Sequence, residues 1–418
     1  MSRPISMFLC MLAVLATMVT ASEANAAGGA PDTAVVPQPE VIVSATRTPR
    51  KPIDLPNSAA VIGRDELRRR GTRTLAEALQ DVIGLDTGEG SDNGSRIPNV
   101  GMWGLKEFDA MLFSVNGVPI GGPFNPSLNQ VPVYDIDRIE IVKGPQGTMY
   151  GVSAFAGMIH VFTPDAENGG EVRVGGGSFS QGHGFASWGR SLSNGRDLRL
   201  SGSFERGDGW QDRTESTVGR GDATFGFGLG SGRMTLTASA LKDEQDWGSP
   251  LPFDAGELVP GFAIDRNYAV KGAEVGHQIV KGTARLTHPM GERFRIENTL
   301  DYTKDKQDYL RSFPGEVSGD TVTSEALELE PTETSIYEDL RLVGNLNGKG
   351  THEVVAGAAV TWGETKGEGR EFEFDQLLSD DNSIPEASSI PSVEDREFGT
   401  CARSSASIST TRGRRPGA

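Results

Sequence analysis

The feature that most constrains this chain begins near Gly169, where segments of ~8–11 residues alternate large apolar side chains with small or polar ones. Residues 198–204, 223–229, 234–241, 294–302, 336–343 and 354–362 all follow this rule. In Thr224-Phe225-Gly226-Phe227-Gly228-Leu229 the large side chains share one parity and the other is nearly bare. In Phe294-Arg295-Ile296-Glu297 the second parity is charged. Successive side chains of a strand point to opposite faces, so each segment is a strand with one apolar face and one polar or tiny face. A strand wall with lipid on one side requires that pattern. Short turns at Asn194-Gly195, Ser231-Gly232, Pro289-Met290-Gly291 and Asn347-Gly348 alternate with long polar stretches at 205–221, 242–281, 303–334 and 363–397. Such alternation is expected when one rim faces the periplasm and the other the outside. A soluble β-sandwich also alternates apolar with polar, but several loops longer than ~15 residues are uncommon there. The segments from Glu171 make about nine strands before Phe398, against the even number expected of a closed bacterial barrel.

The N-terminus agrees with export. Arg3, an apolar run over residues 7–19 and the small-residue site Ala24-Asn25-Ala26 mark residues 1–26 as a signal peptide. That run is shorter than the ~20 residues a spanning helix needs, and Met11 after Cys10 argues against a lipid anchor. The remaining chain holds Cys401 as its one cysteine, so no internal disulfide is available. A formal net charge of -17 excludes nucleic acid as a partner, because backbone phosphates demand Lys and Arg. The 54 glycines in 418 residues are nearly twice the usual share of ~7%.

Residues 27–56 read as a linker, because Pro31, Pro37, Pro39, Pro49, Pro52 and Pro56 forbid helix and favour extended chain. Inside it, Glu40, Val41, Ile42, Val43, Ser44, Ala45 and Thr46 form a β-prone island suited to pairing with another protein's sheet edge. The weaker alternative for the same residues is a first strand of the following domain. Residues 57–167 read as a compact α+β domain. Thr74 and Glu77 make a capping box, Leu75, Ala78, Leu79 and Val82 line one helix face, and Gly84 is expected to close that helix. Residues 111–115, 136–143 and 158–162 are strand candidates, the first followed by the turn Asn116-Gly117.

One long stretch carries a resemblance. Ile136-Asp137-Arg138-Ile139-Glu140-Ile141-Val142-Lys143-Gly144-Pro145-Gln146-Gly147-Thr148-Met149-Tyr150-Gly151, followed by Ala156-Gly157-Met158-Ile159-His160-Val161-Phe162-Thr163, resembles the plug of TonB-dependent outer-membrane receptors. Leu75-Ala76-Glu77-Ala78-Leu79 through Gly84 is similar to a plug helix, and Val115-Asn116-Gly117-Val118-Pro119 to a plug hairpin. Residues 40–46, followed by Arg47, are similar to a TonB box. The resemblance covers roughly residues 40–165, and the later strands by texture alone.

It implies an all-β transmembrane barrel, the N-terminal part of a 22-stranded one, with an N-terminal α+β plug. It also implies a monomer in the outer membrane that binds a small molecule such as a metal chelate. Uptake would be driven through TonB and its inner-membrane energising complex, with TonB joining the box by strand addition. A ferric siderophore is the expected ligand; cobalamin, haem or a saccharide, or a passive porin or adhesin role, are the alternatives. Acidic loops weigh against a strongly anionic ferric catecholate. Arg138, Glu140, Lys143, Gly144, Pro145, Tyr150, Gly151 and Gly157 are the plug-motif residues. By physics alone Gly144, Pro145 and Gly151 shape turns, and Glu140 and Lys143 are strand-face charges. The resemblance implies that Glu140 and Lys143 help lock plug to barrel. Lys143 stands where the family has arginine, which costs bidentate geometry, and Trp103-Gly104 stands where it often has Arg-Gly.

Nothing points to catalysis, a cofactor or a bound metal. His352-Glu353-Val354-Val355-Ala356 lacks the second histidine of a zinc protease helix. The acids at 378–382 and in Asp243-Glu244-Gln245-Asp246 read as solvated loop surface before calcium ligands. The partial barrel is expected to run over 168–398. Residues 399–418 hold four arginines after Gly399 and no acid, and read as an aberrant, frameshifted tail without strand alternation. The sequence therefore predicts a truncated, non-functional barrel.

Overall fold

The computed structural model describes residues 58–87, 100–105, 111–120, 127–146, 154–251, 253–254, 257–346, 353–398 and 403–412. The signal segment, the linker with residues 40–46, and Tyr150 and Gly151 lie outside the described residues.

The first unit holds β1 (Ala59–Gly63), α1 (Arg64–Arg70), α2 (Leu75–Leu79), the short ladder β2 (Leu85–Asp86) and β3 (Gly101–Met102), then β4 (Met111–Val115), β5 (Val118–Ile120), β6 (Arg138–Lys143) and β7 (Gly157–Phe162). Five of these strands form a sheet in the order β1-β6-β7-β4-β5. β4 and β7 run parallel and the other neighbours antiparallel. β6 is buried on both faces: Ile139 and Ile141 join Ile62, Leu67 and Leu79 on one side, and Val142 joins Met158 and Ala154 on the other.

The capping box forms, with the Glu77 backbone N–H donating to Thr74 Oγ1 at 3.1 Å. The Glu77 carboxylate accepts from the Arg73 N–H at 2.8 Å, one residue ahead of the cap. Gly84 does not close α2, which ends at Leu79 with Gln80 still right-handed. Its φ of +87° serves the turn into β2 instead. α1 is absent from the sequence expectations, because only Leu67 of its seven residues is buried and no apolar period marks it.

The second unit is a 12-stranded antiparallel sheet. It comprises β8 (Gly169–Gly176), β9 (Gly182–Leu192), β10 (Arg196–Gly207), β11 (Ser216–Leu229) and β12 (Gly232–Asp246). After a two-strand hairpin, β13 (Phe253–Asp254) and β14 (Glu257–Leu258), come β15 (Glu274–Met290), β16 (Phe294–Ser318), β17 (Thr321–Leu329), β18 (Thr332–Asn345), β19 (Glu353–Leu377), β20 (Glu394–Phe398) and β21 (Arg403–Arg412). Each line pairs with the next in register. β17 and β18 are two halves of one descending line broken at Glu330-Pro331, so nine lines precede β20, as the segment count expected.

Two of the long stretches are strand rather than loop. β16 runs unbroken through 303–318 and turns at Gly319-Asp320 into β17, while β19 continues to Leu377. Both parities there carry charge, which hides the dyad signal. The tail differs as well: β21 pairs along β19 from Arg412 opposite Val354 to Arg403 opposite Gly363, where the sequence showed no strand.

Parity sorts the wall into two faces. On β16, β18 and β19 the even positions Leu300, Tyr302, Ile336, Leu340, Val360 and Trp362 are exposed apolar side chains. Tyr302, Ile336 and Trp362 are cross-strand partners, so an apolar row with two aromatic rings crosses the wall at one height. The odd positions Asp301, Asp305, Gln307 and Asp339 are buried. Apolar outside and polar inside is the lipid-facing arrangement.

Candidate plug and wall interface

The motif residues sit on the first unit's central hairpin. Glu140 is fully buried on β6, and Arg138 Nε donates to its Oε1 at 2.9 Å. The Arg138 guanidinium also lies 3.9 Å from the Phe162 ring centroid, held by the cross-strand pairing of Arg138 with Phe162. An ionised carboxylate at zero exposure requires such a partner. Lys143 Nζ donates to the Ile83 carbonyl at 2.7 Å and stands 6.0 Å from the Trp103 ring centroid. The structure thus brings Arg138 and Glu140 together and seats Lys143 on the turn after α2.

Two motif glycines have geometric causes. Gly144 takes φ +97° while its N–H donates to the Ala156 carbonyl at 2.8 Å. At Gly157, φ is +152°, and a Cβ would stand 2.4 Å from Met102 Sδ and 2.5 Å from the Val142 carbonyl. No side chain fits there. Pro145 follows Gly144 at the end of β6, where the chain leaves the sheet.

Most of the buried contacts that join this unit to the wall's inner face come from residues 127–135, which the sequence left unassigned. Asp135 is buried, and its carboxylate accepts from Arg199 Nη1 at 3.3 Å, from Arg199 Nη2, and from Ser201 Oγ at 2.9 Å, both on β10. Burial pushes the Asp135 carboxyl above its ordinary range, while the Arg199 guanidinium and the Ser201 hydroxyl pull it down. On β12, Asp243 Oδ2 accepts from Ser127 Oγ at 2.7 Å and from Asn129 Nδ2 at 2.9 Å. Asp243 is 2% exposed, so it is not the solvated loop acid its sequence neighbours suggested. Tyr134 stacks on His183 of β9 at 5.2 Å between centroids, and its hydroxyl lies 3.2 Å from His183 Nε2. Arg285 of β15 donates to the Asn116 carbonyl. Every wall residue in this set faces inward, opposite to the lipid-facing parity.

A compact unit of sheet and helices is therefore fastened against the polar face of a lipid-facing strand wall. The family model described as TonB-dependent Receptor Plug Domain matches residues 51–158, the stretch that builds that unit. Residues 51–158 thus carry the plug domain of TonB-dependent receptors. The first unit is the plug, the second is barrel wall, and the chain's place is the outer membrane. The vitamin B12 transporter BtuB of Vibrio vulnificus is 32% identical over 182 residues, covering 42% of this chain and 29% of that protein. The probable TonB-dependent siderophore receptor PiuA of Acinetobacter baumannii is 24% identical over 294 residues, covering 64% and 37%. The fold matches the crystal structure of the ferripyoverdine receptor of Pseudomonas aeruginosa with a TM-score of 0.71 at 17% identity, over 90% of this chain and 56% of that one. The chain spans about a third of the length of these curated relatives.

Asp135, Ser127, Asn129 and Arg199 escaped sequence reasoning because their contacts bridge 64 to 116 residues of chain. One signal was present. Arg199, Arg220, Lys281 and Arg285 all occupy the polar parity of strands whose other parity is apolar or small.

Proposed function

We propose that this chain supplies the plug and part of the wall of a receptor for energy-coupled uptake of a scarce nutrient, a ferric siderophore before cobalamin. The observation that carries the proposal is the plug fastened inside the wall through Asp135, Arg199 and Ser201. A passive pore has no use for a domain bound across its lumen, whereas a gated receptor needs one. The names of the relatives, a vitamin B12 transporter and siderophore receptors, support a metal chelate as cargo. TonB is the proposed partner, pairing with residues 40–46 by strand addition and drawing on the inner-membrane energising complex. The proposed working unit is a monomer with plug at 57–167 and wall from 168. In this scheme Glu140 and Arg138 stiffen the central plug strand, and Lys143 orders the turn at Ile83. The test is growth rescue of a receptor-deficient strain on a panel of ferric chelates and cobalamin, with and without residues 40–46. Rescue by a ferric chelate that disappears with the box supports the proposal; rescue that survives box deletion refutes TonB coupling.

A further inference from the structure

The plug and the inward face of the wall leave a cavity of about 60 Å³ between them, beside Asp135. Asn116, Gln130 and Thr163 line it from the plug, and Thr224, Thr237 and Ser239 of β11 and β12 from the wall. Its charged lining is unbalanced: Arg199, Arg220, Lys281 and Arg285 stand against Asp135 and Asp222. Asp301, outside the lining and 3.8 Å from Lys281, adds a third acid. One positive charge is still in excess.

The acids have their donors already. Asp135 accepts from Arg199 and Ser201. Asp222 Oδ2 accepts from Arg220 Nε at 2.5 Å, and Oδ1 from Arg220 Nη2 at 2.7 Å and Ser239 Oγ at 2.5 Å. Asp301 accepts from Thr283 Oγ1 at 2.6 Å on one oxygen and from Thr303 Oγ1 at 2.8 Å on the other. The cations are not matched in the same way. Arg220 is 7% exposed, and its Nη1 is buried with no hydrogen-bond partner among the described residues. Lys281 Nζ approaches Asp301 at 3.8 Å, beyond hydrogen-bond distance. Asp222 and Lys281 flank Ser239 on one cross-strand rung, and Asp222 ties Arg220 to it, so both surplus donors belong to one patch of the cavity wall.

A buried charged donor without an acceptor costs free energy, and a buried charge needs a counter-charge. Water in the cavity supplies acceptors but no charge. An anion supplies both. One water needs roughly 10–15 Å³ of such space, so this cavity has room for a chloride-sized ion with a few waters and excludes a bulky organic acid.

We propose that the cavity between plug and wall binds a small inorganic anion of the chloride class, held by Arg220 and Lys281. The anion completes the charge balance of the seated plug, so plug seating depends on chloride. The inference concerns the seated plug and depends neither on the cargo nor on TonB.

The test is the rate of plug proteolysis for the full chain in outer-membrane vesicles, with chloride replacing gluconate at constant sodium. In wild type the rate is expected to fall saturably by about threefold or more as chloride fills the site, and bromide is expected to act alike. Lys281→Met, which leaves Asp301 its two hydroxyl donors, is expected to abolish the chloride dependence. Lys242→Met, which removes the same charge from a half-exposed position on the opposite parity of β12, is expected to retain it. Chloride NMR line broadening by the detergent-solubilised chain reads binding directly, and is expected in wild type and lost in Lys281→Met. Equal wild-type rates in chloride and gluconate mean that the cavity holds water alone, and overturn the site. A full chloride response in Lys281→Met, or its loss in Lys242→Met, overturns it as well. Should Lys281→Met lose its strand circular dichroism, Lys281→Gln and the salt comparison on wild type decide. Deleting residues 40–46 leaves the chloride response intact, so a failure of TonB coupling and a failure of the anion site are read separately.

Discussion

The plug and the wall solve burial in opposite senses. In β6 of the plug, successive residues Ile139, Glu140, Ile141 and Val142 are all buried, because layers cover both faces of the sheet. In β18 of the wall, burial switches at every step: Ile336 exposed, Tyr337 buried, Glu338 exposed, Asp339 buried, Leu340 exposed. The apolar positions are the uncovered ones. Water surrounds the plug's fold problem and lipid surrounds the wall's, so the same side chains take opposite places. The boundary between the two regimes is polar, and it is where Asp135 meets Arg199.

That boundary should break most severely. Asp135→Ala leaves Arg199 buried without its carboxylate, an expected loss of about 3–5 kcal/mol in plug seating. Asp135→Leu with Arg199→Met should recover most of it, since neither group then lacks a partner. Protease sensitivity of the plug in outer-membrane vesicles reads both outcomes. Within the plug, Ile139→Ala removes a fully buried side chain and should cost about 2–5 kcal/mol, measured by urea unfolding. In the wall, Leu340→Arg places a charge on the lipid face and should cost about 2–4 kcal/mol if it lies near mid-bilayer. Leu340→Ala should be mild, because no packed core is opened. The smallest effect belongs to the helix cap: Thr74→Ala loses one bond to the Glu77 N–H, about 1 kcal/mol.

The same contrast explains what the sequence made legible. The wall was readable because its period of two survives at 198–204, 223–229 and 336–343, where one parity must meet lipid. The signal fails at 303–318 and 363–377, where strands continue with charge on both parities, and there the sequence suggested loops. In the plug, the Thr74 cap was legible as a local rule. The end of α2 was not, since Gly84 takes its left-handed backbone in a later turn. α1 was missed for want of an apolar face. The Asp135 interface was illegible for a different reason. Its partners lie on strands far along the chain, and no local pattern distinguishes a buried acid beside a plug motif from a solvated one.

The most direct test of the two-faced wall is a nitroxide scan. Single cysteines at each of residues 334–343, spin-labelled in outer-membrane vesicles, report contact with oxygen dissolved in lipid. Oxygen accessibility is predicted to peak at the even positions 336, 338, 340 and 342 and to fall at the odd ones, which face the plug side. A flat profile, or one peaking at Tyr337 and Asp339, would contradict the account.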